Sequence, residues 1–171
     1  MPQSTTAMNT VESVVEISID GTTWSNISGS TNKVEPGPQT ADSGMAATFE
    51  GRYKIVRSGK YNPVDLSVTI LYTETGSEAY AILHGQFLLV NSPLWLRYTP
   101  GGYNGDFRYY TGDSNGNKAA GRIVEFPFVS ADAGDGGPSM VVFKLQTTRL
   151  VREAALPSPS ASVSPSASAS A

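Results

Sequence analysis

Cysteine is absent from this 171-residue chain, so no disulfide and no thiolate metal site contributes to its stability, and the core and its contacts must supply all of it. Histidine is nearly absent. His84, the only one, falls inside an amphipathic stretch with no second His or Cys to join it. It reads as a packing or surface residue, which removes the support for most hydrolase and zinc readings. Long apolar runs are missing: the stretch 87–90 is far too short to span a bilayer, and no membrane insertion is expected. The first ten residues carry neither the basic nor the apolar region of a signal peptide. Clustered positive charge is missing as well. Twelve basic residues stand singly against fifteen acidic ones, for a net charge of −3, whereas a protein that grips nucleic acid gathers Lys and Arg to displace counterions from phosphates.

What is present points to strands. Seventeen Gly and eleven Pro, with few helical patterns, favour many short strands joined by turns. Residues 1–10 are small and polar and read as an arm. Residues 11–19 then alternate, with Val15, Ile17 and Ile19 on one face and Glu16 and Ser18 on the other, as in a half-buried strand. Asp20-Gly21 signals a turn, and Trp24 and Ile27 lie on a short second strand ended by Ser28-Gly29-Ser30. Residues 30–50, with Pro36-Gly37-Pro38, read as a long structureless loop, a kind of connection that is uncommon in compact domains and usually functional. A strand at 52–57 and a turn at Ser58-Gly59 follow. The clearest strand is 64–72, where Val64, Leu66, Val68, Ile70 and Tyr72 share one face and Asp65, Ser67 and Thr69 the other. Residues 76–89 form the one good helix candidate, with Ser77 placed to cap it. Further strands are expected at 94–99, 106–110, 122–128 and 140–150. Beyond Pro157 the chain is Ser, Ala, Pro and one Val. That tail has no apolar area to offset the entropy of ordering.

The search for chemistry finds little. Asp113-Ser114-Asn115-Gly116-Asn117 looks like the start of a calcium loop, but Lys118 stands where Gly is required and no Glu occupies the twelfth position. An Asx-rich hairpin turn is the better reading. Asp132 and Asp135 likewise read as turn residues. Gly101-Gly102 and Gly136-Gly137 precede no helix that could offer amides to a phosphate. Tyr98, Tyr103, Phe107, Tyr109 and Tyr110 could stack on sugar rings, although cross-strand pairing within a sheet explains them better. No enzymatic constellation emerges, and no cofactor or metal is expected.

In order, these pieces resemble the major tail tube proteins of long-tailed, non-contractile bacteriophages. The resemblance is carried by Ser18-Ile19-Asp20-Gly21-Thr22-Thr23-Trp24, Ile27-Ser28-Gly29, Val34-Glu35-Pro36-Gly37, the strand 64–72 and the helix around 78–87. It continues through Leu96-Arg97-Tyr98-Thr99-Pro100, Gly105-Asp106-Phe107, residues 121–128 and the strand at 140–145, covering about residues 11–150. It implies a mainly β domain at 11–152, a β-sandwich or partly closed barrel with one flanking helix, between the N-terminal arm and a Ser/Ala/Pro tail at 153–171. It further implies hexameric rings stacked into a tube, with an inner β-barrel formed on oligomerisation and a lumen through which DNA passes. Partners would be further copies and other tail proteins such as tape measure and terminators, and the location would be the virion tail, with the host cytoplasm during assembly. On that view Glu16, Ser18, Asp65, Ser67 and Thr69 line the lumen, and Val34, Pro36, Met45 and Phe49 belong to an inter-subunit loop. The alternative is a carbohydrate-binding or cell-surface β-sandwich module on a Ser/Pro-rich linker.

Overall fold

The computed structural model describes residues 13–46, 55–102, 107–129 and 137–154. The arm at 1–10, the tail from 155, Asp132 and Asp135, Tyr103 and Phe49 lie outside these residues. Among the described residues the strands are β1 (Val14–Ser18), β2 (Ser25–Asn26), β3 (Thr31–Pro36), β4 (Ala41–Ala46), β5 (Ile55–Tyr61), β6 (Val64–Leu71), β7 (Pro93–Thr99), β8 (Phe107–Gly112), β9 (Gly121–Glu125), β10 (Met140–Thr147) and β11 (Arg149–Ala154), with one helix, α1 (Ala79–Phe87), between β6 and β7. All strand pairs are antiparallel.

The domain is a β-sandwich with one flanking helix. Strands run in the order β11-β8-β7-β9-β10-β6-β3, with β1 attached to β7 and β2 to β1. Strand β7 belongs to both layers: Pro93 and Leu94 pair with β9, while Arg97 and Tyr98 pair with β8. Alternation along the strands makes the core. Val64, Leu66, Val68 and Ile70 of β6 and Val141, Phe143 and Leu145 of β10 are buried, and all but Val64 meet Ile17 of β1 and Leu96 of β7 in a single cluster. Helix α1 closes one side of that cluster with Ala79 and Leu83.

Several boundaries differ from the sequence expectation, each for a local reason. The first strand stops at Ser18, because the Asp20 carboxylate accepts the Thr22 and Thr23 N–H groups at 2.8 Å and curls the chain away, leaving Ile19 exposed. Those amides hold the Asp20 carboxyl well below the usual range. Gly21 has φ +77°, and a Cβ there would stand 3.1 Å from the Trp95 indole, so the turn needs glycine on two counts. The helix cap sits one residue later than expected: it is Glu78, with no side-chain capping bond, so Ser77 does not cap the helix. Its C-terminus is closed by Ser92, whose hydroxyl donates to the Phe87 carbonyl at 2.9 Å. No turn occurs at Ser58-Gly59, since β5 continues to Tyr61. The strand expected at 122–128 ends at Glu125, because Phe126 turns in beneath the helix against Tyr80 and Phe87.

The strand expected at 140–150 is two strands. At Thr148 the chain leaves the β6/β9 layer and crosses to pair with β8. Buried Thr147 holds that crossing: its hydroxyl accepts the Gly112 N–H and donates to the Gly112 carbonyl, each at 3.1 Å. Gly112 leaves room for it. A Cβ at that position would collide with Val151 Cγ2 and lie 2.8 Å from the Asn117 carbonyl oxygen.

Candidate assembly surfaces

Glu16 lies on β1 directly opposite Arg97 of β7. The two form a bidentate pair, in which Arg97 Nη2 donates to Oε1 at 2.9 Å and Nε donates to Oε2, with each side chain 18% exposed. The Trp24 ring covers the guanidinium at 4.2 Å, and Trp24 in turn meets Tyr110 edge-on. Burial pulls the Arg97 pKa down, but the Glu16 carboxylate more than offsets it and leaves the value raised. Within the subunit Glu16 is therefore the ionic partner of Arg97. Replacing it with Gln should cost about 2 kcal/mol, less than a fully buried pair because both groups are partly wet. A urea midpoint equal to that of the parent protein would contradict this role.

Ser18 faces inward. It is 3% exposed, and its hydroxyl donates to Asp20 Oδ1 and accepts the Gly21 N–H. It therefore holds a turn and offers no surface to a water-filled lumen.

Asp65, Ser67 and Thr69 lie on the outward face of β6, in the other layer of the sandwich from Glu16. The fold does not bring the two sets together. On its own side, β6 is joined by three cross-strand rows: Lys33, Thr69 and Val142; Glu35, Ser67, Lys144 and Glu125; and Asp65, Gln146 and Arg122. Four of the six charges in these rows pair with one another, and Asp65 is met by an amide. Lys33 meets Glu35 at 2.7 Å, Lys144 meets Glu125 at 2.6 Å, and the Gln146 amide donates to Asp65 at 2.9 Å. The face of β3, β6, β10 and β9 thus carries Lys33, Lys144 and Arg122 against Glu35, Asp65 and Glu125, and is polar without net charge.

Residues 30–50 do not form a structureless loop. Thr31–Pro36 is strand β3, paired with β6, and Val34 packs against the core opposite Val68 while Pro36 is exposed opposite Leu66. This part folds back on its own domain. Ala41–Ala46 is strand β4, which pairs only with β5 in a separate two-stranded ribbon, with Met45 opposite Val56. The base of the ribbon is tied where the Asn62 N–H donates to the Thr40 carbonyl at 2.8 Å. Residues 41–44 and 59–61 are exposed, and Tyr61 is 72% exposed. Sequence reading missed this ribbon because β4 (Ala-Asp-Ser-Gly-Met-Ala) has almost none of the β-branched and aromatic residues that signal a strand.

The strand path also curls. Its two end strands, β3 and β11, face each other across an open cleft of about 800 Å³, lined by Val34 and Pro36 on one side, Leu150 and Arg152 on the other, and Val15, Tyr98 and Tyr109 on its floor. Among the described residues no barrel closes, and no further strand pairs with the outer edge of β3 or β11.

Other candidate groups fall to structural roles. Asp113 Oδ1 accepts the Asn115 and Asn117 N–H groups at 2.9 Å, which is an Asx turn. His84 stacks on Tyr80 and tilts against Phe126. Tyr98 and Tyr109 are cross-strand partners stacked at 5.2 Å, and burial, aided by Tyr109, pushes the Tyr98 phenol up to about 12. Phe107 lies beneath the Arg152 guanidinium at 3.5 Å. These rings are engaged within the sheet. No cluster of potential metal ligands occurs among the described residues, and no helix among them is long and apolar enough to cross a membrane.

No family model and no curated protein matches the chain. Solved structures do. A chain from the anti-feeding prophage cap, described as its tube terminating cap, superposes with a TM-score of 0.68 at 9% identity, covering 91% of this chain and 96% of that one. A chain from the sheath-tube complex of an extracellular contractile injection system, PVC, in its extended state gives 0.66 at 10% identity, covering 86% and 92%. A chain from the tail of an empty gene transfer agent particle gives 0.58 at 9% identity, covering 84% and 97%. The fold is tail-tube-like. Coverage of 84–91% of this chain and 92–97% of the others means that the likeness extends well beyond a shared β-motif.

Proposed function

We propose that this chain is the structural subunit of a bacteriophage-type tail tube, polymerising through hexameric rings that stack into a conduit for DNA. The observation that carries the reading is the exposed β4–β5 ribbon on a tail-tube-like sandwich. An isolated two-stranded ribbon is marginal in water, and among the described residues no third strand joins it. A neighbouring copy supplies the missing contacts. The free edges of β3 and β11 add the same argument, because assembly covers edges that a lone domain must otherwise protect. Sixfold order is supported by the gene transfer agent tail, which was solved with C6 symmetry.

In this reading the face of β3, β6, β10 and β9 lines the lumen, with Asp65, Ser67 and Thr69 at its centre, and Glu16 and Ser18 play no part in it. A wall whose charges pair internally stays wetted yet offers no run of cations to phosphates, so DNA slides instead of sticking. The ribbon, with Met45 and the adjoining Phe49, is the inter-subunit element. Other tail proteins, such as tape measure and terminators, cap and fill the tube, and the protein resides in the virion tail after assembly in the host cytoplasm. The sequence resemblance adds that the tail is of the non-contractile kind. The subunit carries out no catalysis. Negative-stain microscopy of the purified protein tests the core of this proposal. Rings or tubes of uniform width are expected, and discrete monomers over a wide concentration range would overturn it.

A further inference from the structure

At one end of β6 the ribbon base, the Asx turn and the β10–β11 crossing enclose an open cleft of about 720 Å³, lined by Gln39, Lys60, Tyr61, Ser114, Thr148 and Arg149. Two cations line it and no carboxylate does. Among the described residues neither Lys60 nor Arg149 belongs to an ion pair, and Arg149 Nε is buried without any acceptor. The nearby acids are already engaged. Asp113 accepts from its own turn, and Asp42 accepts the Asn62 amide at 3.2 Å. The cleft therefore presents two cations that no carboxylate in its lining matches, and a guanidinium bonds carboxylates strongly.

The opposite end of β6 holds the complementary feature. After Tyr72 the chain enters α1 through residues 74–78, where Glu74 is exposed and Glu78 half-exposed. Neither carboxylate belongs to an ion pair among the described residues, and Glu78 makes no side-chain capping bond. The eight residues of β6 separate the two features, a span of roughly 25 Å. One subunit cannot close that distance on itself.

We propose that the Lys60/Arg149 cleft of each copy receives the Glu74/Glu78 turn of the next copy, a head-to-tail contact that rests on the tube-subunit reading above. Docked end to end, donor and acceptor patches at opposite ends of one chain make a heterologous interface that propagates as a ring or a stack, whereas an antiparallel pair that closes both contacts stops at a dimer and pellets no polymer. Charge complementarity selects the register, because a copy presented the wrong way round sets cation against cation.

A charge swap tests it. One variant carries Lys60→Glu and Arg149→Glu, the other Glu74→Lys and Glu78→Lys. Each alone sets like charges against each other at every junction and should pellet at least tenfold less polymer than the wild type in low salt. Mixed in equal amounts, every junction can regain opposite charges if the two alternate, and polymer should return. Circular dichroism and thermal melting confirm that each variant is folded. Should either fail to fold, the cysteine-free chain permits a second measurement: copies carrying Tyr61→Cys and copies carrying Ser77→Cys should form a disulfide across the junction on assembly. Wild-type tubes that are matched by the first variant alone, or a mixture that does not recover, or no cross-link in assembled material, would each overturn this contact and leave the tube reading standing. Unchanged assembly together with loss of binding to a short DNA duplex would reassign the cleft to phosphate. A wild-type protein that never polymerises would overturn both readings.

Discussion

Excising the ribbon should convert the protein from a polymer to a folded monomer. The cut is dictated by geometry. Thr40 and Asn62 are already tied by a backbone hydrogen bond of 2.8 Å, so residues 41–61 can be replaced by a two-residue Gly-containing turn without moving β3 or β6. The core cluster formed by the described residues draws its buried members from other elements. Thermal stability should therefore change little, and shorter loops usually cost less to close. Assembly, by contrast, should be abolished, with polymer reduced by two orders of magnitude or more in sedimentation, because each missing ribbon removes its contacts at every junction. Normal tubes from a well-folded excision variant would show that the ribbon is an appendage and that the interface lies at the free edges of β3 and β11. The excision also removes Lys60, so its result should be compared with that of the Lys60→Glu, Arg149→Glu variant, which keeps the ribbon.

The same ribbon shows where reading the sequence stops. Strands β6 and the core-facing half of β10 are legible because a single face is buried in each, and burial imposes a period of two. The helix is legible from Ala79, Leu83 and Phe87, although its start depends on a backbone choice at Glu78 that a nearby Ser obscures. Strand β4 is not legible, since its residues 41–44 are exposed, and an unburied stretch has no reason to alternate. The break at Thr148 is hidden for the opposite reason. Apolar residues continue on both sides of it, and only the Thr147–Gly112 contact, made with a residue 35 positions away, forces the chain across. Glu16 illustrates a third kind of miss. A polar residue alternating with buried ones must leave the core, yet alternation does not say whether it then meets water or an arginine on the next strand. The pairing of Glu16 with Arg97 spans 81 positions and appears only with the register of β1 on β7. Consequently the residues expected in one lumen-facing set divide between the two layers, and only the β6 group retains a free polar face.

Reversing the acidic half of that face should turn a passive wall into one that holds DNA. The variant is Glu35→Lys, Asp65→Lys and Glu125→Lys. It removes the partners of Lys33 and Lys144 and leaves the rows uniformly cationic, a change of about six charges per subunit that is multiplied around each ring and along the tube. Exposed pairs of this kind contribute little to stability, so the monomer should fold and its melting temperature should fall by only a few degrees. If the face lines the lumen, tubes should still assemble, since none of the three altered residues belongs to the ribbon or lines the Lys60/Arg149 cleft. Repulsion across the channel should be screened at moderate salt, within a Debye length of about 8–10 Å. Duplex DNA should then be retained by assembled tubes with an affinity that falls steeply as salt rises, and ejection from particles built with the variant should slow by at least tenfold. A control with Glu16→Gln, which lies in the other layer, should leave retention and ejection unchanged even though it weakens the fold. Fully assembled variant particles that eject at the parental rate would remove the β6 face from the lumen and place it on the outside of the tube, where six extra charges per subunit meet only solvent.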